Sequence, residues 1–392
     1  MTPPVTTAIV ICPAGAPATT VERRLAGLTV GERLLLALSY AGVERVVFVG
    51  PGARPRSERA EIALFEADGA SIAPGQRYAL LPADLVVDRR LIAELEALPP
   101  DLPIRAIDAA GAAEVLADPD AWLGRLGPGG SEHVGRAYAV RVVDKESARA
   151  AERHLLASLK KPIDGFVSRH LNRKISLFIS RFLVRTGARP NAVTVAIMAL
   201  GALSGVAAAF GEPWWALVLA GLLFQGQSVL DGCDGEIARL TYRFSYTGQW
   251  LDTIGDDLTN YLFCLGLAVG CARVHGWTWL YAVGGFIFVL QWYASGIQYQ
   301  RILRMGTGDL LAMPNAVTGG PPKGAWGKFT RAVHQITKRD TFVSVTAVIA
   351  AAQAPLVSFA CIAVGTIVLA SGLTLNEIRL RAMERRGLQL PK

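Results

Sequence analysis

The chain has 392 residues, 52% of them hydrophobic and 18% charged, and its 40 Lys and Arg outweigh 32 Asp and Glu for a formal net charge of +8. That length admits two or three domains, and the composition is more apolar than that of an ordinary soluble protein. Five scattered cysteines (Cys12, Cys233, Cys264, Cys271 and Cys361) without CxxC or Cys/His spacing suggest neither a disulfide framework nor a zinc site, and they read as packing residues.

Residues 1–150 read as a cytoplasmic α/β domain. "MTPPVTTAIVICPAG" has no basic n-region, and its apolar run is too short for a signal peptide. "TTAIVICPAG" predicts a buried strand, "TVGERLLLALSYAG" a helix ended by Gly42, and "VERVVFVG" a second strand, which together make a βαβ unit of a doubly wound sheet. "RYALLPADLVVDRRLIAELEAL" supplies a further strand and helix.

Residues 151–189 read as a linker leading into an amphipathic juxtamembrane helix. Phe166, Leu171, Ile175, Phe178, Ile179 and Phe182 recur at near-helical spacing, and Arg169, Arg173, Lys174, Arg181, Arg185 and Arg189 crowd between and after them. Such a helix lies on a membrane surface and is drawn to anionic lipid headgroups. Nucleic acid is not an expected partner, because no aromatic-interleaved basic motif accompanies the charge.

Residues 190–392 read as an all-α polytopic membrane domain. Six apolar segments can be drawn, at about 191–210, 213–231, 249–271, 277–298, 341–354 and 356–375. Basic residues collect at one set of ends: Arg239 and Arg243; Arg301, Arg304, Lys323, Lys328, Arg331, Lys338 and Arg339; then Arg379, Arg381, Arg385 and Arg386. The opposite loops are short and nearly uncharged, with Trp214, Trp215, Trp277 and Trp279 nearby as interfacial anchors. Both termini are therefore expected in the cytoplasm, with the chain in the cell (inner) membrane. Pro190 and Asn191 begin the first span, Asn191 in a position suited to capping and Thr194 three residues on.

The stretch "LDGCDGEIARLTYRFSYTGQWLDTIGDD" puts Asp231 and Asp234 three apart, and Asp252 and Asp256 four apart, so each pair shares a helix face. Four clustered carboxylates would resist ionisation unless divalent cations neutralise them, and an all-oxygen set favours Mg2+ or Mn2+. Gly235, Ala238 and Gly248 on the same faces leave room for a flat ligand or close helix approach, and Arg239 can hold a phosphate or carboxylate. The neighbouring Asp257 faces another side of its helix.

This stretch fits the pattern DxxDGxxARx8Gx3Dx3D and so resembles the CDP-alcohol phosphotransferases, integral membrane enzymes. The resemblance implies transfer of a substituted phosphate group from a CDP-linked alcohol to the hydroxyl of an acceptor, with release of CMP. It implies two bound Mg2+ or Mn2+ ions, with Asp231, Asp234, Asp252 and Asp256 as metal positions and Asp256 also as the base that deprotonates the acceptor. Nucleotide positions are implied at Asn191, Thr194, Asp231, Gly235, Ala238, Arg239 and Gly248, and a homodimer is the family's usual state. Many acceptors of the family carry a phosphate, which Arg301, Arg304, Lys338 and Arg339 are candidates to meet; positive-inside anchoring explains the same four residues.

The order of elements in the first 150 residues resembles the sugar-nucleotide nucleotidyltransferase fold, with Asp84 at that fold's metal position. The loop "CPAGAPATTVERRLAGL" keeps Gly15 but sets Pro17 where flexibility is needed and has no Lys, so this domain reads as degenerate. The fused layout, with "KPIDGFVSRHLNRKIS" and "TKRDTF", resembles the bifunctional inositol-1-phosphate cytidylyltransferase/di-myo-inositol phosphate phosphate synthases, which implies an acceptor such as inositol phosphate. The alternative is a phospholipid synthase that joins CDP-diacylglycerol to glycerol phosphate or inositol phosphate. Acidic residues in spans also mark ion-coupled transporters, but these usually show matching halves broken near the midplane, and no such repeat is present here.

Overall fold

In the computed structural model, described for residues 5–14, 18–67, 72–99, 102–126, 132–134, 137–160, 167–212, 214–304 and 339–386, the chain divides into two compact units. One comprises Met1–Lys161 with Val184–Gly187 and Leu240–Tyr242; the other comprises Pro162–Leu183, Ala188–Arg239 and Arg243–Lys392.

The first unit runs β1 (Thr7–Ile11), α1 (Ala18–Val21), β2 (Arg24–Leu25), β3 (Leu28–Thr29), α2 (Val30–Tyr40), β4 (Arg45–Val49), β5 (Ala63–Glu66), β6 (Tyr78–Pro82), β7 (Leu85–Val87) and α3 (Arg89–Ala93). It continues with β8 (Arg105–Ile107), α4 (Ala109–Ala117), α5 (Pro119–Arg125), β9 (Glu132–Val134), β10 (Ala137–Arg141) and α6 (Lys145–Ser158). One sheet has the order β5-β4-β1-β6-β8, parallel except for β8, and β7-β10-β9 form a separate antiparallel sheet. The expected βαβ unit is β1-α2-β4. Thr29 caps α2 by accepting from the Glu32 amide at 3.1 Å, and Gly42 ends the turn at φ +90°, a conformation that costs glycine no steric clash.

The strand TAIVI is buried throughout because both faces of the sheet are covered. Ala8, Val10 and Cys12 face one apolar cluster with Leu34, Leu35, Leu38, Phe48 and Leu81, whereas Ile9 and Ile11 face another with Val49, Leu80, Val115 and Leu126. Burial pushes the Cys12 thiol up to about 11, so it stays protonated at neutral pH and packs as a small apolar residue.

The expectation that Asp84 serves a metal is corrected here. Asp84 follows β6 and is 1% exposed, and its two carboxylate oxygens accept from Arg141 Nε at 3.0 Å and Nη2 at 2.8 Å. An internal guanidinium thus supplies the countercharge. Gly15 and Pro17 lie outside the described residues.

The second unit is helical. After a short π-helical stretch, Ser168–Asn172, come α7 (Arg173–Arg185), α8 (Pro190–Phe210), α9 (Trp214–Leu230), α10 (Gly232–Thr241), α11 (Tyr246–His275), α12 (Trp279–Arg304), α13 (Arg339–Ala351) and α14 (Pro355–Arg385). Four stretches are long and apolar enough to cross a membrane: Pro190–Phe210, Trp214–Thr241, Trp279–Arg304 and Pro355–Arg385. They overlap the expected segments at 191–210, 213–231, 277–298 and 356–375, to within two residues at the start. The 249–271 segment lies in α11, whose first half is polar with Gln249, Asp252, Asp256, Asp257 and Asn260, and 341–354 corresponds to the shorter apolar helix Thr341–Ala351.

The amphipathic character expected before the first span is present on α7 and the turn ahead of it. Leu171, Ile175, Phe178 and Phe182 are exposed, while Asn172, Arg173, Ser176 and Ser180 are buried on the other side; Phe166 lies outside the described residues. Glycines bring α8 and α11 backbone to backbone. A Cβ on Gly205 would stand 2.5 Å from Leu262 O, and one on Gly270 would stand closer still to Ala208 O.

Candidate active site in the helical unit

Three helices and two turns position the acidic stretch. α9 ends at Leu230, and Asp231 occupies the turn before α10, its amide donating to Gln227 O at 2.9 Å. α10 then carries Asp234, Gly235, Ala238 and Arg239 within two turns. Tyr242 follows in the left-handed region at φ +52°, which lets the chain reverse before Ser245 caps α11 by accepting from the Gly248 amide at 2.9 Å. Asp252 and Asp256 sit one turn apart on α11.

Asp231, Asp252 and Asp256 converge, each offering one carboxylate oxygen within 4.8 Å of the others, and all three are half-buried. The donor set is oxygen only, which fits a hard divalent cation. Asp234 is held differently. It is 6% exposed; its Oδ2 accepts from the Thr194 hydroxyl at 2.6 Å and its Oδ1 from the Gly235 amide at 2.5 Å. Thr194 also donates to Pro190 O at 3.2 Å, so the start of α8 and the first turn of α10 meet through one hydroxyl.

Beside the carboxylates is a cleft of about 530 Å³, lined by Pro190, Asn191, Thr194, Asp234, Gly235, Ala238, Arg239, Gly248 and Asp252, among others. Six of the seven expected nucleotide positions line it; the seventh, Asp231, belongs to the carboxylate cluster. Gly248 is small for a local reason: a Cβ there would stand 2.6 Å from both Asn191 Oδ1 and Ser245 Oγ. Gly235 is different, since its missing Cβ opens toward the Arg239 guanidinium at 3.6 Å and widens the cleft instead.

Asp257 turns away from the cluster. Its Oδ2 accepts from Ser295 Oγ at 2.5 Å and Tyr299 Oη at 2.6 Å on α12, and Ser295 is also hydrogen-bonded to Tyr261. Of the residues considered for an acceptor phosphate, Arg301 is buried and ion-paired with Glu377 and Glu384 of α14, which take up its guanidinium. That pairing is the physical reason against Arg301 as a phosphate ligand. Arg304 is exposed at the end of α12; Lys338 and the side chain of Arg339 lie outside the described residues.

The residue that sequence reasoning passed over is Glu236, at an unspecified position of the pattern. It is 0% exposed and accepts from Arg173 Nη1 at 2.6 Å, Ser176 Oγ at 2.8 Å and Ser180 Oγ at 2.7 Å. The available signal was a charged spacer residue in an apolar setting, together with a polar Arg-x-x-Ser-x-x-x-Ser stripe on the preceding amphipathic helix.

Residues 188–377 match the model of the family described as CDP-alcohol phosphatidyltransferase. Similar curated proteins include three that bear the name bifunctional IPC transferase and DIPP synthase. The one from Archaeoglobus fulgidus is 44% identical over 126 residues (32% of this chain and 24% of the relative). Those from Aquifex aeolicus (39% over 125 residues; 32% and 28%) and Thermococcus kodakarensis (40% over 124 residues; 32% and 27%) are comparable. The match thus spans about a quarter of each relative's length.

Proposed function

Because residues 188–377 carry a CDP-alcohol phosphotransferase-family domain, we propose that the chain transfers a substituted phosphate group from a CDP-linked alcohol to the hydroxyl of an acceptor alcohol and releases CMP. The acceptor in this reading is a phosphorylated polyol such as inositol phosphate, in keeping with the printed names of the similar proteins. The observation that carries it is the convergence of Asp231, Asp252 and Asp256 beside a cleft lined by the pattern's other fixed positions.

In this reading Asn191, Thr194, Gly235, Ala238, Arg239 and Gly248 cradle the nucleotide. Arg239 offers a guanidinium to a phosphate oxygen, and the absent side chain of Gly235 leaves the room. Asp231, Asp252 and Asp256, joined by Asp234, hold two Mg2+ or Mn2+ ions, which when bound polarise the pyrophosphate and neutralise charge on the departing CMP. The Thr194 hydroxyl and Gly235 amide orient Asp234, restricting its carboxylate to one rotamer. Asp256 takes the acceptor hydroxyl proton as the oxygen attacks the β-phosphorus, the bond to CMP breaks, and no covalent enzyme intermediate is needed. Placement in the cell membrane with six spans, the cleft and both termini toward the cytoplasm, anionic lipids against α7 and a homodimeric assembly complete the proposal.

The direct test is to incubate the full chain in detergent with CDP-inositol or CDP-diacylglycerol, each with inositol phosphate or glycerol phosphate, and identify products by mass spectrometry. CMP with di-inositol phosphate phosphate supports the reading. A lipid phosphate product would move it to phospholipid synthesis. Ion-gradient-driven uptake into sealed vesicles with no CMP formed would reject it.

A further inference from the structure

The fixed and unfixed positions of the acidic pattern divide the surface of α10 between two tasks. Asp234, Gly235, Ala238 and Arg239 line the cleft, whereas the intervening Gly232, Cys233 and Glu236 face α7. A period of 3.6 residues per turn requires such a split: positions skipped by one face form the opposite one.

On that back face Glu236 is a buried charge gripped by three side chains of a single helix. One carboxylate oxygen accepts from Arg173 at 2.6 Å and Ser176 at 2.8 Å, and the other from Ser180 at 2.7 Å. Two further contacts tie the same surfaces together, from Ser180 Oγ to Cys233 O at 3.5 Å and from Cys233 Sγ to Ser176 O at 3.6 Å. Gly232 makes room for them, since a Cβ there would stand 3.1 Å from Arg173 Nη1 and 3.4 Å from both Glu236 Oε1 and Ser176 Oγ. A buried ion pair is a poor source of net stability, because desolvation offsets most of the attraction; its best-attested use is to fix one register among several apolar alternatives.

We infer that Glu236 is a positioning residue for donor binding: through Arg173, Ser176 and Ser180 it fixes the rotation of α10 about its own axis and so sets where Asp234, Gly235 and Arg239 stand in the cleft. The inference rests on the proposed function for the identity of the ligand, CDP. Asp252 and Asp256 lie on α11, outside this clamp, whereas Asp234 is carried by α10, so loosening α10 weakens nucleotide binding and, through Asp234, lowers turnover by a smaller factor.

The test compares wild type, Glu236→Ala and Glu236→Gln as full chains in detergent. CDP binding is read by calorimetry with Mg2+ present, and CMP release by kcat and KM for the donor. Glu236→Gln retains an acceptor oxygen for Arg173 and Ser176 and a group able to bond Ser180; losing Arg173's countercharge lowers stability, but the folded protein keeps the hydrogen-bonded register and its CDP Kd stays within about threefold of wild type. Glu236→Ala raises the Kd and the donor KM by about tenfold or more, and kcat falls by a smaller factor, because charge-assisted hydrogen bonds are lost from the clamp that positions Asp234, Gly235 and Arg239. Should Glu236→Ala fail to fold, the pair Ser176→Ala and Ser180→Ala, which keeps the ion pair, serves instead and raises the Kd by about threefold or more. A folded Glu236→Ala that binds CDP as tightly as wild type, or one whose kcat falls while KM holds, overturns the inference. If wild type binds CDP but releases no CMP from any donor, the transfer reading fails alone, and the ratio of CDP Kd values still decides the role of Glu236.

Discussion

The two units each place an aspartate where a metal would be expected, and the structure treats them in opposite ways. In the sheet unit Asp84 follows β6, beside the end of β1, where the strand order turns back on itself and open α/β sheets bind ligands. Its carboxylate is buried in a two-bond pair with Arg141. In the helical unit Asp231, Asp252 and Asp256 are half-buried and converge on one another. A carboxylate in a suggestive motif is therefore ambiguous until its partner is known: a buried pair with arginine gives Asp84 an internal countercharge, whereas the converging carboxylates of the helical unit form a group that could hold a cation.

The strongest way to break this comparison is to remove the cations. Chelation with EDTA should abolish CMP release, and Mg2+ or Mn2+ should restore it, while the melting of the sheet unit stays unchanged; metal-independent turnover would put the acidic cluster on the same footing as Asp84. Next in size is Asp256→Asn. Its kcat should fall about 10²–10⁴-fold, the usual range for a general base, with the CDP Kd nearly unchanged. Equal losses of binding and turnover would contradict the role given to Asp256.

On the other side of the comparison, Asp84→Asn leaves Arg141 charged and buried without its countercharge. This should cost the sheet unit ~3–5 kcal/mol, read as a lowered denaturation midpoint, with kcat per folded molecule unchanged. A stable Asp84→Asn protein would undo the scaffold assignment. The smallest expected effect is at Gly248→Ala, where the new Cβ would stand 2.6 Å from Asn191 Oδ1 and Ser245 Oγ. Displacing Asn191 should raise the donor KM by about tenfold, and weakening the cap of α11 should cost about 1 kcal/mol.

What was legible in the sequence was whatever depends on neighbours in the chain. The strand-helix-strand unit at Thr7–Val49 follows from local periodicity and from Gly42, and the spacing of Asp252 and Asp256 puts both on one face of a helix. The amphipathic stripe on α7 was visible for the same reason. Partners far apart in the chain were not: Arg301 is spoken for by Glu377 and Glu384, and Glu236 by Arg173, Ser176 and Ser180. Hydropathy alone counted α11 as an ordinary span, although its first half is polar and Gln249 and Asp252 there line the cleft. Asp234 likewise looked equivalent to its neighbours until Thr194 proved to hold it.

The close approach of α8 and α11 bears on which part of a substrate can vary. Asn191 and Thr194 begin one of these helices, Asp252 and Asp256 lie near the start of the other, and between them main chain meets main chain at Gly205 and Leu262. A contact gauged by backbone atoms has no rotamers with which to widen or shrink, so the spacing of these two helices is set by main chain and not by side-chain choice. If a donor binds in the cleft as proposed, its bulk must be accommodated by side chains such as Asn191 and Arg239 and not by spreading these helices apart.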